Sequence, residues 1–167
     1  VLFRSAGASG EVQMRGPTIT PGYFNRPEAN AEAFTADGWL RSGDIGRLTE
    51  DHELVYVARL KEIIRVGGEN LAPDEVEQAL RDLTGIQQIC VLGMPDSRLD
   101  EVVAAVVIGA EAHDWHAILA RLRGRLAGYK LPRAIYSARE FPLTATNKVQ
   151  RAVLKQQLLR GELARVV

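Results

Sequence analysis

The sequence predicts an α+β protein whose first third differs in character from the rest. Three observations carry this. Residues 10–57 hold short alternating runs separated by Gly- and Pro-containing turns. From about Glu62 onward, longer apolar runs alternate with amphipathic helical patterns. The two regimes meet in Ala58-Arg59-Leu60-Lys61-Glu62-Ile63-Ile64-Arg65-Val66-Gly67-Gly68-Glu69-Asn70-Leu71-Ala72-Pro73.

In chain order, Glu11 to Arg15 alternates weakly and stops at Gly16-Pro17, which predicts a short strand ending in a turn. Tyr23-Phe24-Asn25-Arg26-Pro27 leads into a short helix over Glu28 to Phe34, with Pro at its start. Asp37-Gly38 marks a turn before Trp39-Leu40-Arg41. Ile45 to Leu48 and Leu54 to Val57 then predict a hairpin around Thr49-Glu50-Asp51-His52. These β pieces read as the edge of a larger body whose main core lies elsewhere.

Past the junction, Pro73 opens a helix with Asp74, Glu75 and Glu77 in its first turn, where negative charge complements the macrodipole. Val76, Ala79, Leu80 and Leu83 form its apolar stripe, and Gly85 ends it. Ile86 to Leu92 and Val102 to Ile108 predict two buried strands of one sheet, separated by Met94 to Asp100. Asp114 can cap a second helix with Trp115, Ile118, Leu119, Leu122 and Leu126 at helical spacing and Gly128 as its stop. Ala134 to Ser137 reads as a strand, Phe141 to Asn147 as a polar loop and Arg151 to Leu159 as a last helix. No internal repeat or low-complexity segment interrupts the pattern.

The hydrophobic fraction of 46% and charged fraction of 25% are those of a globular chain able to bury a core, which argues against disorder. Basic and acidic residues number 21 each, so no net field draws the molecule onto nucleic acid or an acidic membrane. No apolar run approaches the roughly 20 residues of a membrane span, and Val1-Leu2-Phe3-Arg4-Ser5 lacks the regions of a signal peptide, so a cytoplasmic location is expected. The single Cys90 cannot form an internal disulfide; without a cation or His close in sequence, it is expected to be a buried packing residue. The chain starts without Met and is already strand-like by Glu11. A fragment is therefore expected, with Val1 to Ser9 in question as native sequence.

Several residues could do chemistry. Asp44, in Arg41-Ser42-Gly43-Asp44, offers two acceptor oxygens suited to the paired hydroxyls of a ribose, or it fixes its own turn. Arg59 would supply a fixed fork for ribose or phosphate oxygens and Lys61 a mobile charge, unless they form a solvated basic edge. Gly67-Gly68-Glu69-Asn70 reads as a tight hairpin turn or as bare backbone on which a thin ligand can lie. Lys148, in a loop of small and hydroxyl residues, could be delivered into a site to stabilise a pentavalent phosphorus, or could simply be solvated. His52, His113 and His116 show neither metal-ligand spacing nor a nucleophile partner, so no metal site is expected.

Taken in order, these segments resemble the C-terminal portion of the AMP-forming acyl-CoA synthetases, the fatty-acyl and aryl-CoA ligases of the adenylate-forming superfamily. The resemblance runs from Gly10 to about Leu158. It rests on Gly10-Glu11-Val12-Gln13-Met14-Arg15-Gly16-Pro17, Gly22-Tyr23-Phe24-Asn25-Arg26-Pro27-Glu28-Ala29, Asp37-Gly38-Trp39-Leu40-Arg41-Ser42-Gly43-Asp44, Gly67-Gly68-Glu69-Asn70 with Pro73 and Glu75-Val76-Glu77, Tyr129-Lys130-Leu131-Pro132, and the Pro142 to Arg151 loop.

The resemblance implies a small mobile C-terminal domain, residues 62–167, built on a mixed three-stranded sheet with helices and a hairpin. Residues 59–61 would be its hinge, and residues 1–58 the β-rich tail of a large N-terminal AMP-binding domain. It further implies that a carboxylic acid attacks ATP to give acyl-AMP, and that the thiol of CoA then displaces AMP. Asp44 and Arg59 would bind the nucleotide, Lys61 would be the pivot and Lys148 the catalytic lysine of adenylation. Gly67, Gly68 and Glu69 would flank the pantetheine of CoA, with Lys130 and Arg133 near its phosphates. Mg2+ is expected with ATP, with no ligand identifiable in this segment.

The sequence departs from the pattern at Ala58 and His52, each where Gly is common, and at Asn147, where Gly usually precedes the lysine. The phosphate loop, adenine motif and acyl pocket of the family would lie upstream, so this chain alone is expected to be inactive. Two alternatives stand beside the ligase reading. One is an adenylation domain that loads a carrier-protein pantetheine; the other is an interaction domain that has kept the fold without catalysis.

Overall fold

The computed structural model describes residues 7–167; Val1 to Ala6, most of the stretch in question as native sequence, lie outside the described residues. The chain divides into two compact units, Val1–Lys61 and Glu62–Val167.

The first unit is a three-stranded antiparallel sheet, β1 (Ser9–Met14), β2 (Leu40–Leu48) and β3 (Leu54–Arg59), with one short helix, α1 (Pro27–Ala33). β2 and β3 form the expected hairpin. His52 takes φ +62° in its turn, one of the positions where the sequence lacks the familiar Gly. Asn30 fastens α1 to the preceding loop, accepting from the Tyr23 N–H at 2.7 Å and donating to the Tyr23 carbonyl at 2.9 Å. Gly46 is packed so closely that a Cβ there would come within 2.7 Å of Leu54 and 2.8 Å of Val12. Among the described apolar side chains of this unit only Val12 and Ala58 are buried, whereas Tyr23, Phe24, Leu54, Val55 and Tyr56 are exposed, Phe24 by 90%. One face of a twisted sheet normally packs on a core.

The second unit is a six-stranded mixed sheet carrying helices on both faces. Its strands are β4 (Ile64–Val66), β5 (Glu69–Leu71), β6 (Ile89–Asp96), β7 (Asp100–Val107), β8 (Ala134–Ser137) and β9 (Ala164–Arg165). β6 and β7 pair antiparallel, β7 and β8 parallel, which makes the expected three-stranded mixed centre. The β4–β5 hairpin joins this centre where Val66 meets Asp100, and β9 adds antiparallel to β8.

Period-2 alternation sorts the side chains. Ile89, Val91, Ala105 and Val107 pack with Val76 and Leu80 of α2 (Pro73–Thr84) and with Trp115, Ile118 and Leu122 of α3 (Trp115–Leu122). On the other face, Cys90, Leu92 and Val106 pack with Phe141 and with Leu154 and Leu158 of α4 (Arg151–Leu159). The helix ends follow local chemistry. Pro73 starts α2 and Gly85, at φ +74°, ends it; the Asp114 side chain caps α3 by accepting from the Ala117 N–H at 3.1 Å.

Several boundaries differ from the sequence reading, among them β2, which runs unbroken from Leu40 and so takes in Asp44. β6 starts at Ile89 and continues through Pro95 to Asp96, so most of the expected Met94 to Asp100 connection is strand. The true turn is tighter because Asp96 Oδ1 accepts from the N–H groups of both Arg98 and Leu99, at 2.9 and 3.0 Å. α3 ends at Leu122, with Gly124 and Arg125 donating three residues back to Arg121 and Leu122. Leu126 still packs on the core, from a turn. β9 has only two residues, too few to show a period.

Candidate functional site

Asp44 and Arg59 stand opposite each other across β2 and β3, and their side chains meet. Arg59 Nη1 lies 2.9 Å from Asp44 Oδ1 and also donates to the Ser42 carbonyl at 2.7 Å. The turn expected around Asp44 is instead an irregularity within β2, opposite Val12 of β1, and the local bend that allows this pairing comes from Gly43, at φ +71°, and from Ser42. The Ser42 hydroxyl donates to the Val12 carbonyl at 2.7 Å and accepts from the Asp44 N–H at 3.0 Å. The Asp44 side chain is 32% exposed and that of Arg59 52%, so a held carboxylate–guanidinium pair faces outward, able to meet hydroxyl and phosphate oxygens together. Two residues on, the backbone bends: Lys61 is exposed within a 3-10 turn, Leu60–Glu62.

In the second unit Gly67 and Gly68 are the two turn residues of the β4–β5 hairpin, at φ +59° and +89°. Gly67 donates to the Leu99 carbonyl at 2.8 Å; a Cβ on Gly68 would project into open space. This turn borders a concave cavity of about 320 Å³ lined by Val66, Gly67, Glu69, Tyr129, Leu131 and Arg133. Three of the residues named from the sequence, Gly67, Glu69 and Arg133, thus share one wall. Tyr129 joins them, although the sequence offered it no role beyond its place in the Tyr-Lys-Leu-Pro motif.

Lys130 is drawn elsewhere. Its ammonium sits 2.7 and 2.8 Å from the two carboxylate oxygens of Glu75 and 5.6 Å from the centre of the Tyr129 ring. The hydrogen bond to Glu75, above all, raises its pKa from the ordinary lysine value. The lysine therefore ties α2 to the cavity wall, and an anionic ligand would have to share it with Glu75.

Lys148 is exposed on a closed turn rather than on an open loop. Leu143 and Val149 bridge its base, Thr144 N–H donates to the Lys148 carbonyl at 2.8 Å, and Asn147 N–H donates to the Thr144 carbonyl at 2.9 Å. The Thr144 hydroxyl also accepts from the Lys148 N–H at 3.1 Å. Asn147 adopts φ +61°, so the departure from Gly falls on a left-handed position that Asn tolerates.

Below this turn lies a cluster absent from the sequence reading. Glu77, expected to complement the helix dipole and part of the Glu75-Val76-Glu77 motif, is buried, and its Oε1 accepts from the Val91 N–H at 2.9 Å and from Arg151 Nη2 at 2.8 Å. Arg151 also donates to the Val91 carbonyl at 2.9 Å, and its Nε lies 3.1 Å from Glu62 Oε2. Cys90 has a cation after all: Arg151 Nη1 is 3.4 Å from its sulfur. Burial nevertheless dominates and, with Glu77 and Glu62 adding to it against Arg151, the thiol is pushed up to about 12. Packing is its role. Among the described residues no cluster of His, Cys, Asp and Glu could hold a metal ion, and no helix is long and apolar enough to cross a membrane.

Residues 75–148 match the AMP-binding enzyme C-terminal domain. Among curated relatives, the feruloyl-CoA synthase of Amycolatopsis sp is 40% identical over 153 residues, covering 90% of this chain and 31% of the relative. The long-chain-fatty-acid–CoA ligase of Bacillus subtilis (strain 168) is 42% identical over 156 residues, covering 92% of this chain and 27% of the relative. Among solved structures, the o-succinylbenzoate CoA synthetase (MenE) from Bacillus subtilis, in complex with the acyl-adenylate intermediate OSB-AMP, superposes with a TM-score of 0.83 at 32% identity. That match covers 90% of this chain and 31% of the other, so the chain spans about a third of the length of the proteins it resembles.

Proposed function

We propose, for a chain whose residues 75–148 belong to the AMP-binding enzyme C-terminal domain family, that the whole protein is an ATP-dependent acid–CoA ligase. It would join a carboxylic acid to CoA through an acyl-adenylate. The carrying observation is that similarity to named CoA ligases extends over about nine-tenths of the chain, through both units. A lone C-terminal domain match would not reach Asp44 and Arg59.

The family resemblance suggests the roles of the residues, and their geometry is compatible with them. Asp44, oriented by Arg59 and Ser42, accepts from the ribose hydroxyls of the nucleotide, and the Arg59 guanidinium lies beside it for the phosphate. Lys148 brings a cation on a turn of fixed shape to the charge that develops as the carboxylate attacks the α-phosphorus and pyrophosphate leaves. The Gly67-Gly68 turn gives the thin pantetheine arm of CoA a path without side chains, with Glu69, Tyr129 and Arg133 in the cavity beside it. Lys61 is the pivot between residues 1–58, as the tail of the nucleotide-binding domain, and the second unit, so that one site serves both half-reactions. Mg2+ would accompany ATP; among the described residues no group of three or more His, Cys, Asp or Glu side chains could hold it. By itself the chain would turn nothing over, since its relatives are about three times longer.

The test uses the whole protein and a panel of carboxylic acids. Lys148→Ala is expected to slow carboxylate-dependent ATP–pyrophosphate exchange by about a hundredfold or more, while thioester formation from supplied acyl-AMP changes little. Equal losses in both half-reactions, or no exchange with any acid in the unsubstituted protein, would reject this reading.

A further inference from the structure

The cluster around Arg151 is more than a buried ion pair. The residue is the first of α4 and lies three positions after Lys148, at the base of the closed turn. Its guanidinium reaches three other places at once. Nε meets Glu62, the first residue of the second unit; Nη2 meets Glu77 in the middle of α2; and Nη1 meets the Val91 carbonyl in β6. Glu77 completes the loop of contacts by accepting from the Val91 N–H. A planar fork with five donors can hold these acceptors together in fixed relative positions, and an ammonium cannot.

A second brace acts from the next residues of the turn. Gln150 N–H donates to the Pro142 carbonyl at 2.8 Å and Gln150 Nε2 to the Leu143 carbonyl at 2.6 Å, so both sides of the turn are fastened where Arg151 begins the helix. The segment next to Lys61 is thus connected to the foot of the Lys148 turn through one side-chain pair, Arg151 and Glu62.

We propose that Arg151 is a positioning residue that holds the Lys148 turn to the segment at Glu62, so that the lysine and the start of the second unit move as one piece. A lysine carried on a loose turn would reach the reacting phosphorus in many orientations; anchored in this way, it arrives in one. The effect on adenylation rests on the ligase reading, whereas the anchoring does not.

Arg151→Ala would leave the buried Glu77 carboxylate with only the Val91 N–H and the more distant Arg81, 3.7 Å away, and so confound position with stability. Arg151→Lys and Glu62→Gln avoid this, because the first keeps a cation beside Glu77 and the second leaves Glu77 untouched. In the whole protein, both are expected to speed hydrogen exchange at the Thr144, Asn147 and Lys148 amides relative to those of β6 and β7. Both should also slow ATP–pyrophosphate exchange by about tenfold or more, with thioester formation from supplied acyl-AMP within about twofold of the unsubstituted protein. Unchanged amide exchange at the turn would overturn the anchoring. Loosened amides with equal losses in the two half-reactions would overturn the positioning role. If the unsubstituted protein activates no acid, the ligase reading fails, and the turn amides alone decide whether Arg151 is an anchor.

Discussion

At the scale of single residues, the environment of Cys90 shows how burial can override a neighbouring charge. An arginine 3.4 Å from a sulfur would ordinarily favour the thiolate, yet Cys90 lies in β6 in the cluster with Leu154 and Leu158 of α4, has 1% of its surface exposed, and is held up to about 12. The linkage sign follows from that rise above the ordinary thiol value of 9.0. Below pH 9 both folded and unfolded chains keep the proton and stability is unaffected by this group. Between about 9 and 12 the unfolded chain loses it first, so stability falls as pH rises. Cys90→Ala is expected to flatten the alkaline decline in stability across that window relative to the unsubstituted protein, as read by denaturant midpoints at a series of pH values. An identical slope in the two proteins would contradict this. The sequence pointed to a buried cysteine because Cys90 sits in an apolar run. It could not show Arg151, which approaches from 61 positions away.

At the scale of elements, what could be read in advance was whatever depends on local periodicity. The stripe of Val76, Leu80 and Leu83, the cap at Asp114, the stop at Gly85 and the glycine pair of the β4–β5 turn are local, and the structure has them where expected. The Asp44–Arg59 pair was half legible, since the hairpin was expected but not the register that sets the two opposite each other. The Glu77–Arg151 contact, the Lys130–Glu75 pair and the two-residue β9 depend on how distant elements pack, and neither period nor motif encodes that.

The same limit applies to Gly93, which falls between the Ile86 to Leu92 run read as a strand and the Met94 to Asp100 connection. It is buried in β6 opposite Val103, and a Cβ there would come within 2.6 Å of the Glu101 carboxylate. That carboxylate cannot simply swing away. It accepts from the Arg65 N–H at 3.0 Å and from the Lys155 ammonium at 2.9 Å, and so links β4, β7 and α4. Gly93→Ala is therefore expected to destabilise the second unit by about 1–3 kcal/mol, despite a backbone conformation that alanine accepts. In a denaturant series with Glu101→Ala, the double substitution should lose less than the sum of the two singles, because the alanine then has nothing to displace. Strict additivity would show that the glycine is not there for Glu101.

At the scale of the whole molecule, the chain carries two units of unequal self-sufficiency. The second has two buried clusters, one on each face of its sheet, whereas the first buries only Val12 and Ala58 among its described apolar side chains. Lys61 contributes nothing to either cluster: it is exposed, in a three-residue turn at the end of the first unit. A substitution there should therefore act on the backbone path alone. Proline fixes φ near −65° and restricts the residue before it as well, which removes the freedom a pivot needs. In the whole protein, Lys61→Pro is expected to leave the thermal transition of the second unit in place. On the proposed ligase reading, steady-state thioester formation should fall by at least about tenfold and by more than either half-reaction measured separately, because the proposed change of arrangement between them becomes limiting. Turnover equal to that of the unsubstituted protein would show that the two units need no pivot at Lys61. A lost thermal transition would show instead that the residue belongs to the framework of the second unit.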